Sequence, residues 1–198
     1  MHNIVLYSPH LGRDLRPLME AIPDLSIYEG AKTPKGEDGC LQSHHAVVSW
    51  ARACELDRVF VLEDDCQFTV HFDYGKWCDD ADWAAVNGYD VMVGGCVQTY
   101  DPRVVRAWND VEHMVEVSSF HSAHCLVYFK SGYDKILKTR QPFDTSIGQD
   151  VHAKIVMTWP FVAVQTPSFS GILQKDVNYV PLYEQYEDHL GRALGLRL

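Results

Sequence analysis

The sequence Arg58-Val59-Phe60-Val61-Leu62-Glu63-Asp64-Asp65 decides the fold. Four consecutive apolar residues, two of them β-branched and one aromatic, run directly into three carboxylates. A short apolar run of this kind predicts a buried strand. The acids do not follow it into the core, because burial of unpaired charge is costly. We therefore expect them at the carboxyl end of the strand, where open α/β sheets bind ligands.

Two interpretations of Glu63-Asp64-Asp65 are open at this point. Clustered carboxylates are typical ligands of a hard divalent cation that carries substrate phosphates. Three acids after a strand also describe a solvated acidic turn with no ligand. The flanking sequence has to distinguish between these two.

Strand and helix patterns alternate around this stretch. Residues 4–7 and 25–28 are short apolar runs, and residues 13–22 between them carry apolar side chains at helical spacing. Residues 29–39 are predicted to form a loop, and residues 40–54 a helix that leads into the Arg58–Asp65 strand. Alternating strands and helices predict an α/β fold with a mainly parallel mixed sheet flanked by helices.

The rest of the chain continues the same pattern. We expect strands at residues 90–95, 111–117, 125–129 and 161–164, helices at 72–86, 131–138 and 151–158, and a loop at 142–150. Residues 182–198 are predicted to form a peripheral C-terminal helix. No repeat or linker divides the sequence, so residues 1–198 are interpreted as one domain.

The loop and helix before the acidic stretch supply polar candidates for a binding site. Ser8 to Arg13 follow the first strand on the ligand side of the sheet, where Arg13 would contact a phosphate or simply cap the next helix. Ser43 and His44 are expected in the first turns of the 40–54 helix, where free N–H groups favour anions. His44 would then face a phosphate or a sugar, or else bond within the fold.

Composition limits the class of protein. The 198 residues carry a formal charge of -10 and have a pI of about 5.3, which argues against broad binding to nucleic acid or to anionic membranes. No stretch approaches the ~18 apolar residues of a membrane span. The first residues lack the features of a signal peptide, and the six cysteines show no disulfide or zinc spacing. These features predict reduced thiols and a cytoplasmic location.

The order of motifs resembles that of glycosyltransferase family 25. Gly39-Cys40 and Ser43-His44 match its G-C-x-x-S-H pattern, and about 20 residues later an apolar strand ends in the E-D-D of Glu63, Asp64 and Asp65. Residues 119–137, the segment Pro142-Phe143-Asp144, and residues 165–172 are similar to later parts of the family pattern. The resemblance spans roughly residues 36–172. The family includes lipopolysaccharide and collagen galactosyltransferases, so lipopolysaccharide biosynthesis is one implied process.

The resemblance implies a GT-A-like nucleotide-binding domain and a metal-dependent, inverting hexosyltransferase. The donor would be a UDP-sugar, with galactose or glucose transferred to a saccharide or a glycosylated polymer. We expect Mn²⁺ or Mg²⁺ on Asp65 and Glu63, because a divalent cation stabilises the departing diphosphate. A further ligand from His121, His124 or His152 stays open.

Donor contacts and the general base complete the expected site. The predicted donor-binding residues are Ser8, Arg13, Ser43, His44, Glu63 and Asp64. An inverting enzyme also needs a base on the acceptor hydroxyl. The resemblance favours Asp144 for this role, with Asp150 as the rival, and Asp150 equally suits a helix start.

Two other functions compete with this one. Gly171 stands where the family commonly has an aspartate, and the chain is short for the family, which motivates a non-catalytic module that binds nucleotide sugars. A viral DNA-base glycosyltransferase is the other alternative, although it would need phosphate-neutralising Lys and Arg that an acidic chain has in smaller supply.

Overall fold

A mixed sheet forms the centre of the computed structural model, which describes residues 1–170 and 175–196. The strands are, in chain order, β1 (His2–Tyr7), β2 (Leu25–Glu29), β3 (Arg58–Glu63), β4 (Cys66–Phe68), β5 (Val91–Val93), β6 (Gln98–Tyr100), β7 (Arg103–Ala107), β8 (His113–Val117), β9 (Ser119–His121), β10 (Cys125–Phe129), β11 (Ile155–Trp159), β12 (Ala163–Gln165), β13 (Ser168–Ser170) and β14 (Lys175–Val177). The helices are α1 (Arg16–Ala21), α2 (Gly36–Ala53), α3 (Tyr74–Val86), α4 (Tyr133–Ile136), α5 (Phe143–Gln149) and α6 (Val180–Leu194), with short 3-10 turns at Pro9–Leu11 and Lys130–Gly132.

The central sheet has eight strands in the order β2-β1-β3-β10-β5-β11-β8-β7. The pairings give six strands one direction and reverse only β10 and β8. The predicted α/β fold with a mainly parallel mixed sheet flanked by helices is therefore confirmed. Three two-stranded ribbons, β4–β12, β6–β9 and β13–β14, lie outside this sheet.

Helices cover both faces of the sheet. Because side chains of a strand alternate between faces, Val61 of β3 packs with Val47 of α2, while the adjacent Leu62 packs with Leu18 of α1. The two connections from β1 to β2 and from β2 to β3 thus use opposite faces, and the strand order reverses between β1 and β3. In open α/β sheets such a switch point is where ligands bind, outside the carboxyl ends of the strands.

Helix α6 corresponds to the predicted peripheral helix 182–198, of which residues 197 and 198 lie outside the described part. It begins at Val180, earlier than predicted, and ends at Leu194. Tyr183 and Leu190 are buried in the same core as α2. Helix α6 therefore packs one apolar side against the core.

Three local predictions were wrong. Helix α2 begins at Gly36, inside the predicted loop 29–39, with Glu37 and Asp38 in its first turn, where negative charge is favoured. The predicted loop 142–150 contains helix α5. The predicted helix 151–158 does not form: its second half belongs to strand β11, whose five residues are all buried. A short apolar run does not by itself distinguish a buried strand from a buried helix.

Within residues 1–170 and 175–196, no helix is long and apolar enough to cross a membrane.

Candidate functional site

A cavity of about 580 Å³ opens at the carboxyl ends of β1 and β3. Among the residues predicted for the site, it is lined by Ser8, Arg13, Ser43, Glu63, Asp64, Asp65 and Asp144. The sheet therefore brings together residues that are up to 136 positions apart in the sequence, counted from Ser8 to Asp144. His44 and Asp150 are not among the described residues that line the cavity.

Asp64 is held on the β1 side of this cavity. Its Oδ2 accepts a hydrogen bond of 2.6 Å from the backbone N–H of Ser8, and its Oδ1 pairs with the Arg13 guanidinium. Burial raises the pKa of Asp64, and the charge of Arg13 opposes this shift. Ser8 and Arg13 are thus placed at the acidic strand end itself, through the loop that follows β1.

Glu63 is held from the opposite face of the sheet by helix α2. Its Oε1 lies 3.2 Å from both Cys40 Sγ and His44 Nε2. Burial is the largest influence and favours a raised pKa, but the hydrogen bonds from His44 and Cys40, together with the charges of nearby histidines, outweigh it, so the pKa of Glu63 is lowered. The neighbouring acids Glu63 and Asp64 therefore point to opposite faces, as the strand alternation predicts.

The motif Gly39-Cys40-x-x-Ser43-His44 acts as a support for this strand end. Ser43 Oγ accepts a hydrogen bond from the N–H of Ala31 and donates one to the carbonyl of Gly39. A Cβ on Gly39 would lie 2.5 Å from the carbonyl oxygen of Ala31, so only glycine allows this loop to approach α2. The four motif residues fix the cavity wall and orient Glu63.

His44 is completely buried and is not at a helix N-terminus. Its Nδ1 lies 2.8 Å from the Tyr128 hydroxyl, and its ring stacks on Phe143 at a centroid distance of 4.6 Å. Since α2 begins at Gly36, Ser43 and His44 lie in the interior of the helix, where backbone N–H groups are already bonded. The expected contact of these N–H groups with an anion therefore does not apply, and the interpretation of His44 as a residue bonded within the fold is the one the geometry favours.

Asp65 differs from the other two acids because one of its carboxylate oxygens is buried without a hydrogen-bond partner. Its Oδ2 accepts a hydrogen bond of 3.3 Å from Gln165 Nε2 and lies 3.5 Å from Arg13 Nη2. Its Oδ1 is buried without a hydrogen-bond partner. Burial, reinforced by Glu63 and Asp64 and opposed by Arg13, raises the pKa of Asp65 to about 7.

Two sets of side chains have the chemistry to hold a metal ion. The unpartnered oxygen of Asp65 beside Glu63 fits a hard cation, which prefers carboxylate oxygen. Cys40, His44 and Glu63 also bring a thiol, an imidazole and a carboxylate within 4.8 Å of one another. That second set already satisfies itself by hydrogen bonds, and burial holds the pKa of Cys40 well above its usual value, so its thiol is protonated. Asp65 is the better supported ligand.

Asp144 lies in the first turn of α5 and lines the cavity. Its Oδ2 accepts a 2.8 Å hydrogen bond from the N–H of Ser122, and its Oδ1 accepts one of 2.8 Å from Thr145. His121 Nδ1 lies 3.9 Å from Asp144 Oδ2. The segment after β9 therefore meets the start of α5 at the cavity.

Asp150 lies elsewhere, at the C-terminal end of α5 and not at a helix start as predicted. It accepts hydrogen bonds from Arg140 at 3.0 and 3.1 Å and from Ser146 at 2.7 Å. The hydrogen bond from Arg140 and that from Ser146 lower the pKa of Asp150 to about 2. A carboxylate this weakly basic, on a separate surface pocket with Lys135 and Lys138, is a poor general base.

The other histidines considered as ligands have different surroundings. His124 is buried, its Nδ1 lies 3.1 Å from the Tyr183 hydroxyl, and burial lowers its pKa to about 4 against the opposing charge of Glu63. His152 is exposed just after α5 and has a positive φ of 50°. Of the three, only His121 lines the cavity. Gly171, which departs from the family pattern, lies outside the described residues.

Sequence reasoning missed several cavity residues. Gln165 contacts Asp65, which is 100 positions away in the sequence. Ser122 contacts Asp144, which is 22 positions away. No local pattern indicates such contacts. Ser122 does carry a structural signal, a φ of +99°, which an L-residue seldom adopts and which is costly outside a constrained site.

Comparison with known proteins identifies a fold and no more. No family model matches the chain, and no curated protein matches it. Among solved structures, the chain is similar to the crystal structure of A197 from STIV, with a TM-score of 0.54 and 13% sequence identity over 89% of this chain and 93% of that chain. The class defined here is accordingly an α/β protein with a large mixed sheet and an acidic cavity at its switch point.

Proposed function

We propose that this protein is a metal-dependent inverting glycosyltransferase that moves a hexose, galactose or glucose, from a UDP-sugar to a saccharide or a glycosylated polymer. The observation that carries the proposal is Asp65, a buried carboxylate with an unpartnered oxygen, in a cavity at the switch point of an α/β sheet. The resemblance of the G-C-x-x-S-H and E-D-D motifs to glycosyltransferase family 25 supplies the reaction class.

The cavity supports the donor half of this proposal. Its volume of about 580 Å³ lies within the ~300–1,000 Å³ of small-molecule sites. Mn²⁺ or Mg²⁺ would be held by Asp65 with Glu63 as the second carboxylate, and when bound it would neutralise charge that develops on the departing diphosphate. Arg13 and Lys32 line the same cavity and supply positive charge for phosphate oxygens.

Asp144 supports the acceptor half of the proposal. Of the two acids predicted as the general base, Asp144 lines the cavity and Asp150 does not. Inverting transfer needs the proton acceptor on the far side of the sugar from the leaving group. One cavity is thus lined both by the acids proposed to hold the metal and by Asp144, the two kinds of group that such a reaction needs.

A donor screen by thermal shift, with and without Mn²⁺, tests the donor half. A UDP-sugar that binds the native state raises the unfolding temperature, by an amount set by its affinity. We expect that rise only when Mn²⁺ is present, and we expect Asp65→Asn to abolish it. Asp150→Asn is a change of the same kind at an acid outside the cavity, and this variant should show the same Mn²⁺-dependent rise as the wild type.

Transfer is tested separately. Slow hydrolysis of the UDP-sugar, or transfer to saccharide acceptors, distinguishes an enzyme from a non-catalytic module that binds nucleotide sugars. No metal-dependent stabilisation by any nucleotide sugar, or an Asp65→Asn variant with full donor binding, would refute the proposal. If a nucleotide sugar stabilised the protein but was neither hydrolysed nor transferred, the protein would be a non-catalytic binding module.

A further inference from the structure

We propose that His121 accepts the proton of the acceptor hydroxyl and that Asp144 is its positioning residue; this inference rests on the proposed function. The sequence suggests Asp144 as the general base, and this inference assigns that role to His121 instead. Three observations carry this assignment: how Asp144 is bonded, where His121 lies, and how the chain is held between them.

Both oxygens of Asp144 are already engaged by the main chain. Oδ2 accepts the N–H of Ser122 and Oδ1 accepts the N–H of Thr145, each at 2.8 Å. These two bonds fix the carboxylate in place and occupy a lone pair on each of its oxygens. Asp144 is therefore well placed to orient a neighbouring side chain.

His121 lies beside Asp144 in the cavity and is the more exposed of the two. Its side chain is 35% exposed and lines the cavity, with Nδ1 3.9 Å from Asp144 Oδ2. Its Nε2 lies 3.4 Å from the hydroxyl of Tyr100, which is itself 38% exposed. Histidine is the most common general base in enzymes. The 3.9 Å between Nδ1 and Asp144 Oδ2 is longer than a hydrogen bond, and we expect it to shorten when the acceptor binds, because catalytic hydrogen bonds often tighten only in the reactive complex.

The backbone between these residues is built for this proximity. A Cβ on Gly148 would lie 2.1 Å from the carbonyl oxygen of Ser118, so glycine lets α5 pack directly on the residues that begin β9. At the end of β9, Ser122 takes its φ of +99° and turns its N–H to Asp144. Such strain is maintained where surrounding structure enforces it, often at functional sites.

Loss of the hydroxyl proton accompanies formation of the new glycosidic bond. The acceptor hydroxyl replaces the Tyr100 hydroxyl at His121 Nε2, and its oxygen forms a bond to the anomeric carbon of the donor. The bond from that carbon to the diphosphate oxygen breaks, and its electron pair leaves with UDP. The hydroxyl proton goes to Nε2, and the resulting imidazolium is stabilised by Asp144 through Nδ1–H. Among the described residues, the titratable groups that lie next to the His121 ring are Asp144 on α5 and Tyr100 on β6.

The closing experiment compares His121→Asn with His71→Asn, a change of the same kind at an exposed histidine outside the cavity. We expect His121→Asn to lower the rate of transfer ~10²–10⁴-fold, the usual contribution of a general base. Mn²⁺-dependent UDP binding should be unchanged, because in this assignment His121 acts as the base and not as the further metal ligand. The loss of rate should appear in kcat and not in the KM for the donor. His71→Asn should behave as the wild type.

A second variant separates a catalytic role from a structural one. Imidazole added to His121→Ala should restore transfer in a concentration-dependent way, and Asp144→Asn should slow transfer without loss of UDP binding. Transfer by His121→Asn at the wild-type rate, or no rescue of a folded, UDP-binding His121→Ala, would overturn this inference alone. Failure of the wild type to bind UDP-sugar or to transfer would overturn the proposed function, and this inference with it.

Discussion

Replacement of Asp65 by asparagine should make the protein more stable while it removes the binding of a divalent cation. Asp65 is 14% exposed at its side chain, and its Oδ1 is buried without a partner. Asparagine has nearly the same shape and no charge. The substitution therefore removes an electrostatic cost and leaves the packing in place.

The magnitude follows from the pKa of Asp65, which is about 7 in the folded chain against an ordinary value of 3.8. Because the folded state holds the proton more tightly than the unfolded state, the free energy of unfolding decreases as the pH rises from about 4 to about 7, and it is constant above that range. A difference of 3.2 pH units, 7 minus 3.8, corresponds to about 4 kcal/mol at most.

Urea unfolding at two pH values measures this effect. The advantage of Asp65→Asn over the wild type should be about 2 kcal/mol at pH 5 and should grow to about 4 kcal/mol at pH 8. For a chain of this size, 1 kcal/mol moves the midpoint of thermal unfolding by ~2–4 °C. Added Mn²⁺ should raise the stability of the wild type and leave the variant unchanged.

Asp150→Asn is the control with the opposite sign. The pKa of Asp150 is lowered to about 2 by Arg140 and Ser146, so its charged form stabilises the fold above pH 4, and this contribution is lost as the pH falls towards 2. Asp150→Asn should therefore be destabilising at both pH 5 and pH 8. The reasoning would be refuted if Asp65→Asn were less stable than the wild type at pH 8. It would also be refuted if the difference in free energy of unfolding between the two were the same at pH 5 and pH 8.

Three further predictions concern the support of the site. Gly148→Ala should destabilise the protein by ~1–3 kcal/mol in urea unfolding, because its Cβ would overlap the carbonyl oxygen of Ser118; an unchanged midpoint would show that α5 does not pack this closely. Tyr128→Phe should cost ~1–3 kcal/mol, because it removes the hydroxyl that partners the fully buried His44, and equal stability would argue against that hydrogen bond. Among the cysteines, the exposed Cys54 should react first with a thiol reagent under native conditions, and prior labelling of a buried cysteine would contradict the packing.

The sequence predicted the elements whose pattern is local. The Arg58–Asp65 stretch carries its own evidence for a buried strand, since its apolar run and its acids are contiguous. The β-α-β pattern around it correctly predicted parallel pairing of β1, β2 and β3. The positions of Ser8, Arg13 and the three acids at one cavity follow from that topology alone.

Predictions that depended on element boundaries were less successful. Ser43 and His44 were expected at a helix start, but α2 begins at Gly36. Residues 155–159 form a strand and not part of a helix, because the central sheet places β11 between β5 and β8. A five-residue apolar run has no periodicity long enough to decide between the two, so tertiary packing decides it.

The sequence by itself determined where the acids stand: at the end of a buried strand, at the carboxyl edge of a parallel sheet. Only the tertiary structure decided how they divide their contacts, with Glu63 to α2, Asp64 to the loop after β1, and Asp65 to a partly unsatisfied position. It also decided that Asp144, and not Asp150, reaches the cavity. The reason is physical: strand alternation and polarity act between neighbours in the chain, whereas the partners of a buried charge come from distant segments that meet only in the folded state.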